Sequence, residues 1–167
     1  MFDDAVNELS ASLGRLAVEA ARDGDLDTLV RALSAGVPVD MTSPRGDPLL
    51  MLACYYGHVA AVRALLARGA DPDKRDERGQ TPLAGAAFKG VVEVAEALVE
   101  GGASINAAGA DGRTPLMMAA AFNRTEMVRW LLAHGADPDL RDRAGLRAID
   151  AATTLGARDA AAVLGGA

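Results

Sequence analysis

Apolar residues in this chain come in short clusters of helical spacing, separated by polar stretches rich in Gly, Asp and Pro. Val62, Leu65 and Leu66, and again Val128, Leu131 and Leu132, occupy i, i+3 and i+4 positions, which line one face of a helix. Alanine-rich runs alternate with these stripes; LAGAAFK at 83–89 and LMMAAAF at 116–122 are the clearest. The pattern predicts pairs of helices, a thin one that lets neighbours approach closely and an amphipathic one that buries its stripe. Phe2, Val6, Leu9 and Leu13 share the helical spacing. They predict a helix at the N-terminus packed against the first pair, with a free amphipathic helix for a partner as the alternative.

Glycines punctuate the clusters at a fixed interval. Gly46, Gly79, Gly112 and Gly145 lie 33 residues apart, as do Gly36, Gly69, Gly102 and Gly135. A third series runs Gly24, Gly57 and Gly90, then Asn123 in place of glycine, then Gly156. Three ladders in phase at one period mean a structural unit repeated along the chain. Within a unit, Thr81-Pro82 and Thr114-Pro115 supply an N-cap hydroxyl and a proline whose missing N–H costs a first turn nothing. Gly69, Gly102 and Gly135 stand where a second helix needs a left-handed C-terminal residue, and Asp-Pro-Asp segments then turn the chain.

The best copies read GQTPLAGAAFKGVVEVAEALVEGGASIN from Gly79 and GRTPLMMAAAFNRTEMVRWLLAHGADPD from Gly112. This text resembles the ankyrin repeat, whose pattern runs G-x-T-P-L-H-x-A-A, then G-H, then V-x-x-L-L-x-x-G-A-D. Thr81-Pro82-Leu83, Thr114-Pro115-Leu116, Gly57-His58 and the run Leu65 to Asp71 carry the likeness. The resemblance implies an all-α, helix–turn–helix solenoid with short hairpin-like loops. A single domain over 1–167 is expected: an N-terminal helix or extension (1–15), an N-capping repeat (16–42), central repeats at 43–75, 76–108 and 109–141, and a degenerate C-capping repeat (142–167). Irregular, polar end units keep a solenoid soluble.

Departures from the family pattern are specific. The usual histidine after Thr-Pro-Leu is replaced by Val18, Met51, Ala84, Met117 and Asp150, so its hydrogen bond between repeats is missing. Pro48-Leu49 and Arg147-Ala148 stand where two units should read Thr-Pro. Gly85 falls inside a first helix, at a cost of about 0.5–1 kcal/mol relative to Ala.

Composition narrows the function. Seventeen Lys+Arg against 23 Asp+Glu give a net charge of −6, which argues against a nucleic-acid or anionic-membrane coat. One cysteine, Cys54, excludes an internal disulfide and a thiolate zinc cluster, and reads as an inert core thiol. No apolar run is long enough to cross a membrane, and the acidic N-terminus lacks a signal-peptide pattern, so a cytoplasmic protein is expected. Two lysines against 15 arginines suggest a GC-rich bacterial source.

No catalytic or cofactor constellation emerges. His58 and His134 occupy different phases of the repeat, His58 at the family's Gly-His position and His134 in the last turn of a helix, where a cation is favoured. The pairs Asp71/Asp73 and Asp137/Asp139 recur at 66 residues, as turn residues should, rather than as a calcium site. Trp130, beside Arg129 on a second helix, reads as a packing residue. No cofactor, metal or enzyme activity is expected.

Identity in a repeat protein resides in positions that do not repeat. The family's concave surface comes from the loop tips and the exposed end of each first helix. The helix-end pairs here are Arg22-Asp23, Tyr55-Tyr56, Phe88-Lys89, Ala121-Phe122 and Thr154-Leu155. Four of the chain's six aromatics, Tyr55, Tyr56, Phe88 and Phe122, fall at these positions, with Leu52 and Met118 widening the apolar patch. Each ring buried on a partner contributes about 1.5–3 kcal/mol before ordering costs. Arg45, Arg75, Arg78, Arg113, Arg141 and Arg143 crowd the tips, while Glu93, Glu96, Glu100 and Glu126 lie on the second helices. An aromatic groove edged by Arg45, Arg78, Arg113, Arg143 and Lys89 suits a protein or peptide with acidic and apolar residues. Packing of the rings onto neighbouring helices, and pairing of the arginines with Asp76, Glu77, Asp111 and Asp142, are the structural alternatives. A monomer is expected. A homodimer burying the stripe is the rival, and a nucleic-acid binder using the arginine tips is the weaker one.

Overall fold

The structure, a computed structural model, describes residues 2–166, and side chains from residue 8. The chain forms five consecutive helix pairs among the described residues: α1 (Phe2–Asp23) with α2 (Leu26–Ser34), α3 (Leu49–Tyr56) with α4 (Val59–Leu66), and α5 (Pro82–Lys89) with α6 (Val92–Glu100). The series closes with α7 (Pro115–Ala121) and α8 (Thr125–Ala133), then α9 (Ala148–Thr154) and α10 (Arg158–Gly165). The only sheet-like feature among these residues is an isolated antiparallel bridge between Thr42 and Pro48. This is the helix–turn–helix solenoid that the period predicts.

Local sequence starts and stops each helix. Thr81 and Thr114 are buried N-caps whose hydroxyls accept the Ala84 and Met117 N–H, each at 3.3 Å. Where the Thr-Pro start is lost, a reason is visible at α3: Leu49 donates its N–H to the Met41 carbonyl at 3.2 Å, a bond no proline could make. At the other end, Gly57 and Gly90 close α3 and α5 with left-handed φ of 79° and 81°, and Asn123 adopts the same conformation (φ 54°) after α7.

First helices stack on first helices, α1 on α3, α3 on α5, α5 on α7 and α7 on α9, while the second helices form an outer layer. Close stacking needs thin contacts. Ala53, Ala86, Ala87, Ala119, Ala120 and Ala152 are fully buried between layers. In the amphipathic stripes, Val62, Leu65, Val128 and Leu131 are buried completely, whereas Leu66 and Leu132 are half-buried at the edge. Cys54 is buried among the same small residues, and burial pushes its thiol pKa far up.

Two polar ladders tie one unit to the next. Asp40, Asp73 and Asn106 carry acceptor oxygens to the N–H groups of Asp71, Ser104 and Asp137, at 3.0, 3.1 and 2.9 Å. Asp71 and Asp137 accept the N–H of Asp73 and Asp139 in the same turns, while the Asp73 carboxylate reaches Ser104 of the next unit and that of Asp139 lies 3.9 Å from Arg147. At the tips, Ala110 donates to the Gly79 carbonyl and Arg143 to that of Asp111, both at 3.1 Å.

The N-terminal segment and the first helix of the first unit are one continuous helix of 22 residues. Its partner α2 has 9, so α1 outruns anything it can pack on. Leu13 is accordingly half-buried and Leu9 is 62% exposed, against the expectation of a packed stripe. The side chains of Phe2 and Val6 lie outside the described residues.

Candidate functional site

The exposed ends of the first helices line one groove across three units. Its side chains come from α3, α5 and α7 and from the tip loops, and it encloses about 480 Å³. Helical side chains lean toward the N-terminus of their helix, so residues three or four apart share one strip of surface. Leu52 below Tyr55 on α3, Gly85 below Phe88 on α5, and Met118 below Phe122 on α7 form the groove's three columns.

The aromatics form a continuous row. Tyr56 meets Tyr55 edge-on with centroids 5.2 Å apart. Tyr55 lies nearly parallel to Phe88 at 6.1 Å, and Phe88 meets Phe122 edge-on at 4.5 Å. Such geometries are favourable for aromatic pairs, and they hold the row in place without covering it. Tyr55, Tyr56 and Phe122 stay 39%, 48% and 43% exposed, and Phe88 is half-buried between them. The rings therefore pack on one another and still face solvent. Lys89 lies beside the row, with its Nζ 4.5 Å from the centre of the Tyr55 ring.

The tip arginines divide into two groups. Arg113 sits 3.6 Å from an Asp111 oxygen and 3.7 Å from one of Asp142, and Arg141 donates to the Gly145 carbonyl at 2.8 Å. Arg45 and Arg78 line the groove and make no ion pair among the described residues, and both are exposed. Asp47 and Asp76 share that rim, but their carboxylates hold the turns. Asp76 accepts the N–H of Arg78 and of Gln80 at 2.9 and 2.8 Å, and Asp47 accepts the Ser43 hydroxyl at 3.4 Å. Arg143 lies outside this groove, in an adjoining tip depression shared with Arg78 and Arg113.

The rings, Leu52, Met118, Arg45, Arg78 and Arg113 expected from the sequence meet in this groove, whereas the expected Arg143 and Lys89 are not in its lining and the floor was missed. Met51 and Gly85 line the groove as well, and a Cβ on Gly85 would come within 3.2 Å of the Met51 sulfur. The spacing offered one signal: Leu52, Gly85 and Met118 share a register, and only the middle one lacks a side chain. Each histidine bonds a backbone carbonyl, His58 that of Arg22 at 2.8 Å and His134 that of Trp130 at 2.7 Å. No group of acidic, histidine or cysteine side chains able to hold a metal ion occurs among the described residues.

A family model described as ankyrin repeats in three copies matches residues 17–109. The chain belongs to the ankyrin repeat family. A single ankyrin repeat matches again at residues 111–143. A Pseudomonas aeruginosa protein named as an ankyrin repeat protein is 50% identical over 45 residues, which is 27% of this chain and 26% of that one. The match thus spans about a quarter of that relative's length. Ankyrin repeats are generally protein–protein interaction modules and typically non-catalytic scaffolds. No helix among the described residues is long and apolar enough to cross a membrane.

Proposed function

We propose that this ankyrin repeat protein is a non-catalytic binding module that captures a protein or peptide segment in the groove of α3, α5 and α7. The observation that carries the reading is the exposed row Tyr56, Tyr55, Phe88 and Phe122, held by edge-on and stacked contacts over three units and rimmed by Arg45 and Arg78, which make no ion pair among the described residues. Rigid aromatics beside arginines lose little side-chain entropy on contact, which is why such residues dominate interface energetics. The reactive groups of the chain point the same way. The one thiol is buried, and the histidines are engaged with main-chain carbonyls rather than with a nucleophile.

The test is the triple variant Tyr55→Ala, Tyr56→Ala, Phe122→Ala. All three side chains are substantially exposed, so far-UV circular dichroism should be unchanged. Capture of the wild-type partner from a lysate of the source organism should fall at least tenfold. Undiminished capture by a folded triple variant would remove the groove from consideration.

A further inference from the structure

We infer that the groove contains a socket for one side chain, floored by Met51 and Gly85, and that its occupant is an extended acidic peptide. The peptide seats one aliphatic residue in the socket and places a carboxylate on Arg78. This rests on the groove reading above and gives its ligand a chemistry.

The socket follows from the register. Leu52, Gly85 and Met118 occupy the same place in three successive first helices, so two side chains flank a position that has none. Glycine is a poor choice for a helix interior, and its use there calls for a close approach by something else. Part of that space is taken by the Met51 sulfur, which reaches across from α3. A thioether on an unbranched side chain is a soft floor that adjusts to the shape above it. Phe88, one turn beyond Gly85, forms the upper wall.

The peptide's length and charge follow from the rest of the groove. Successive ring spacings take the row from Tyr56 to Phe122 over at most about 16 Å. At roughly 3.3 Å per extended residue, that accommodates roughly five residues. Asp47 and Asp76 are committed to the turns, and Arg113 to Asp111 and Asp142. The groove lining carries three arginines, Arg45, Arg78 and Arg113, against two carboxylates, Asp47 and Asp76, so it holds a small excess of positive charge on a protein of net charge −6. A carboxylate is the planar partner a guanidinium fits best.

A phage-displayed library of random nonapeptides, panned on the full-length protein, tests this. The wild type should enrich an aliphatic residue close to Asp or Glu. The winning peptide, made with a fluorescent label, should lose at least tenfold in affinity when its aliphatic residue becomes Ala. It should lose as much on the variant Gly85→Leu, checked by circular dichroism. On Arg78→Glu it should weaken at least fivefold and recover when its acidic residue is changed to Lys. Enrichment of no such consensus overturns the inference, and so does equal affinity for a folded Gly85→Leu variant. Should that variant not fold, an aliphatic-to-Ala change without effect, or the lack of charge-swap rescue, overturns it by itself. A peptide insensitive to Gly85→Leu yet lost on the triple ring variant defeats the socket and leaves the groove standing. A peptide that binds the triple ring variant normally defeats the groove itself. A dimer in sedimentation that Gly85→Leu abolishes would assign the socket to a second copy and overturn the peptide.

Discussion

Asn123 stands where the other units have glycine, and its side chain exploits the exception. At φ 54° it pays a small backbone cost that Asn tolerates better than most residues. In return its amide donates to Asp159 and its carbonyl oxygen accepts the Ala160 N–H, both at 3.0 Å, joining α7 to α10. Asn123→Ala should therefore lower the unfolding free energy by about 1–3 kcal/mol in urea, through lost bonds and left-handed strain together. Asn123→Gly should lose less, since the backbone is then relieved. Cys54 makes the opposite kind of prediction. Its buried, upshifted thiol should ignore a thiol-specific reagent at neutral pH and react at once in denaturant. Both residues were legible in the sequence because the period fixes their phase. The shared work of His58 and Arg124 was not. His58 bonds the Arg22 carbonyl and Arg124 that of Phe88, each 36 residues back, but the sibling between them is Val91, so no residue type repeats.

Among the helices, the caps set local stability. Thr81→Ala and Thr114→Ala each remove a buried N-cap hydroxyl and should cost about 0.5–2 kcal/mol, read as a lower urea midpoint. Asp25, the N-cap of α2, titrates as well. Hydrogen bonds from the Thr28 hydroxyl and N–H hold its pKa below the usual aspartate range. A depressed carboxylate stabilises the folded state above its unfolded pKa, and that contribution fades as pH falls through the lower folded value. Asp150, held down by the Arg147 N–H and side chain, behaves in the same sense. Asp25→Asn keeps a capping oxygen but cannot titrate, so its urea midpoint should decline less than the wild type's as pH falls below the usual aspartate range. Helix existence and most starts were readable from Thr-Pro and the glycine ladders. The reach of α1 was not. Periodic spacing says a face is apolar, and it does not say whether a neighbour is long enough to cover it.

In the whole molecule the main helix contacts among the described residues lie within a unit or between adjacent units, so the ends have one neighbour where the middle has two. Ile149, Ala161 and Val163 in the last pair are only partly buried, while Leu83, Val94 and Leu98 in the middle are fully so. Amide hydrogens of α9 and α10 should accordingly exchange faster than those of α5 and α6 under native conditions. The groove was legible at this scale because one register places every first-helix end on one side. Its floor was not, since Met51 and Gly85 carry neither charge nor ring to mark them. The ladder of Asp40, Asp73 and Asn106 spans a constant 31 residues from acceptor to donor, so the bonds joining units are interchangeable in kind. The length of this protein is therefore quantised. Gain or loss of a whole period rejoins the same donors and acceptors, whereas any fractional change leaves them facing nothing. Each added period would bring one more position in line with Leu52, Gly85 and Met118, so the groove is written in a short alphabet, one letter per unit, and would lengthen a letter at a time.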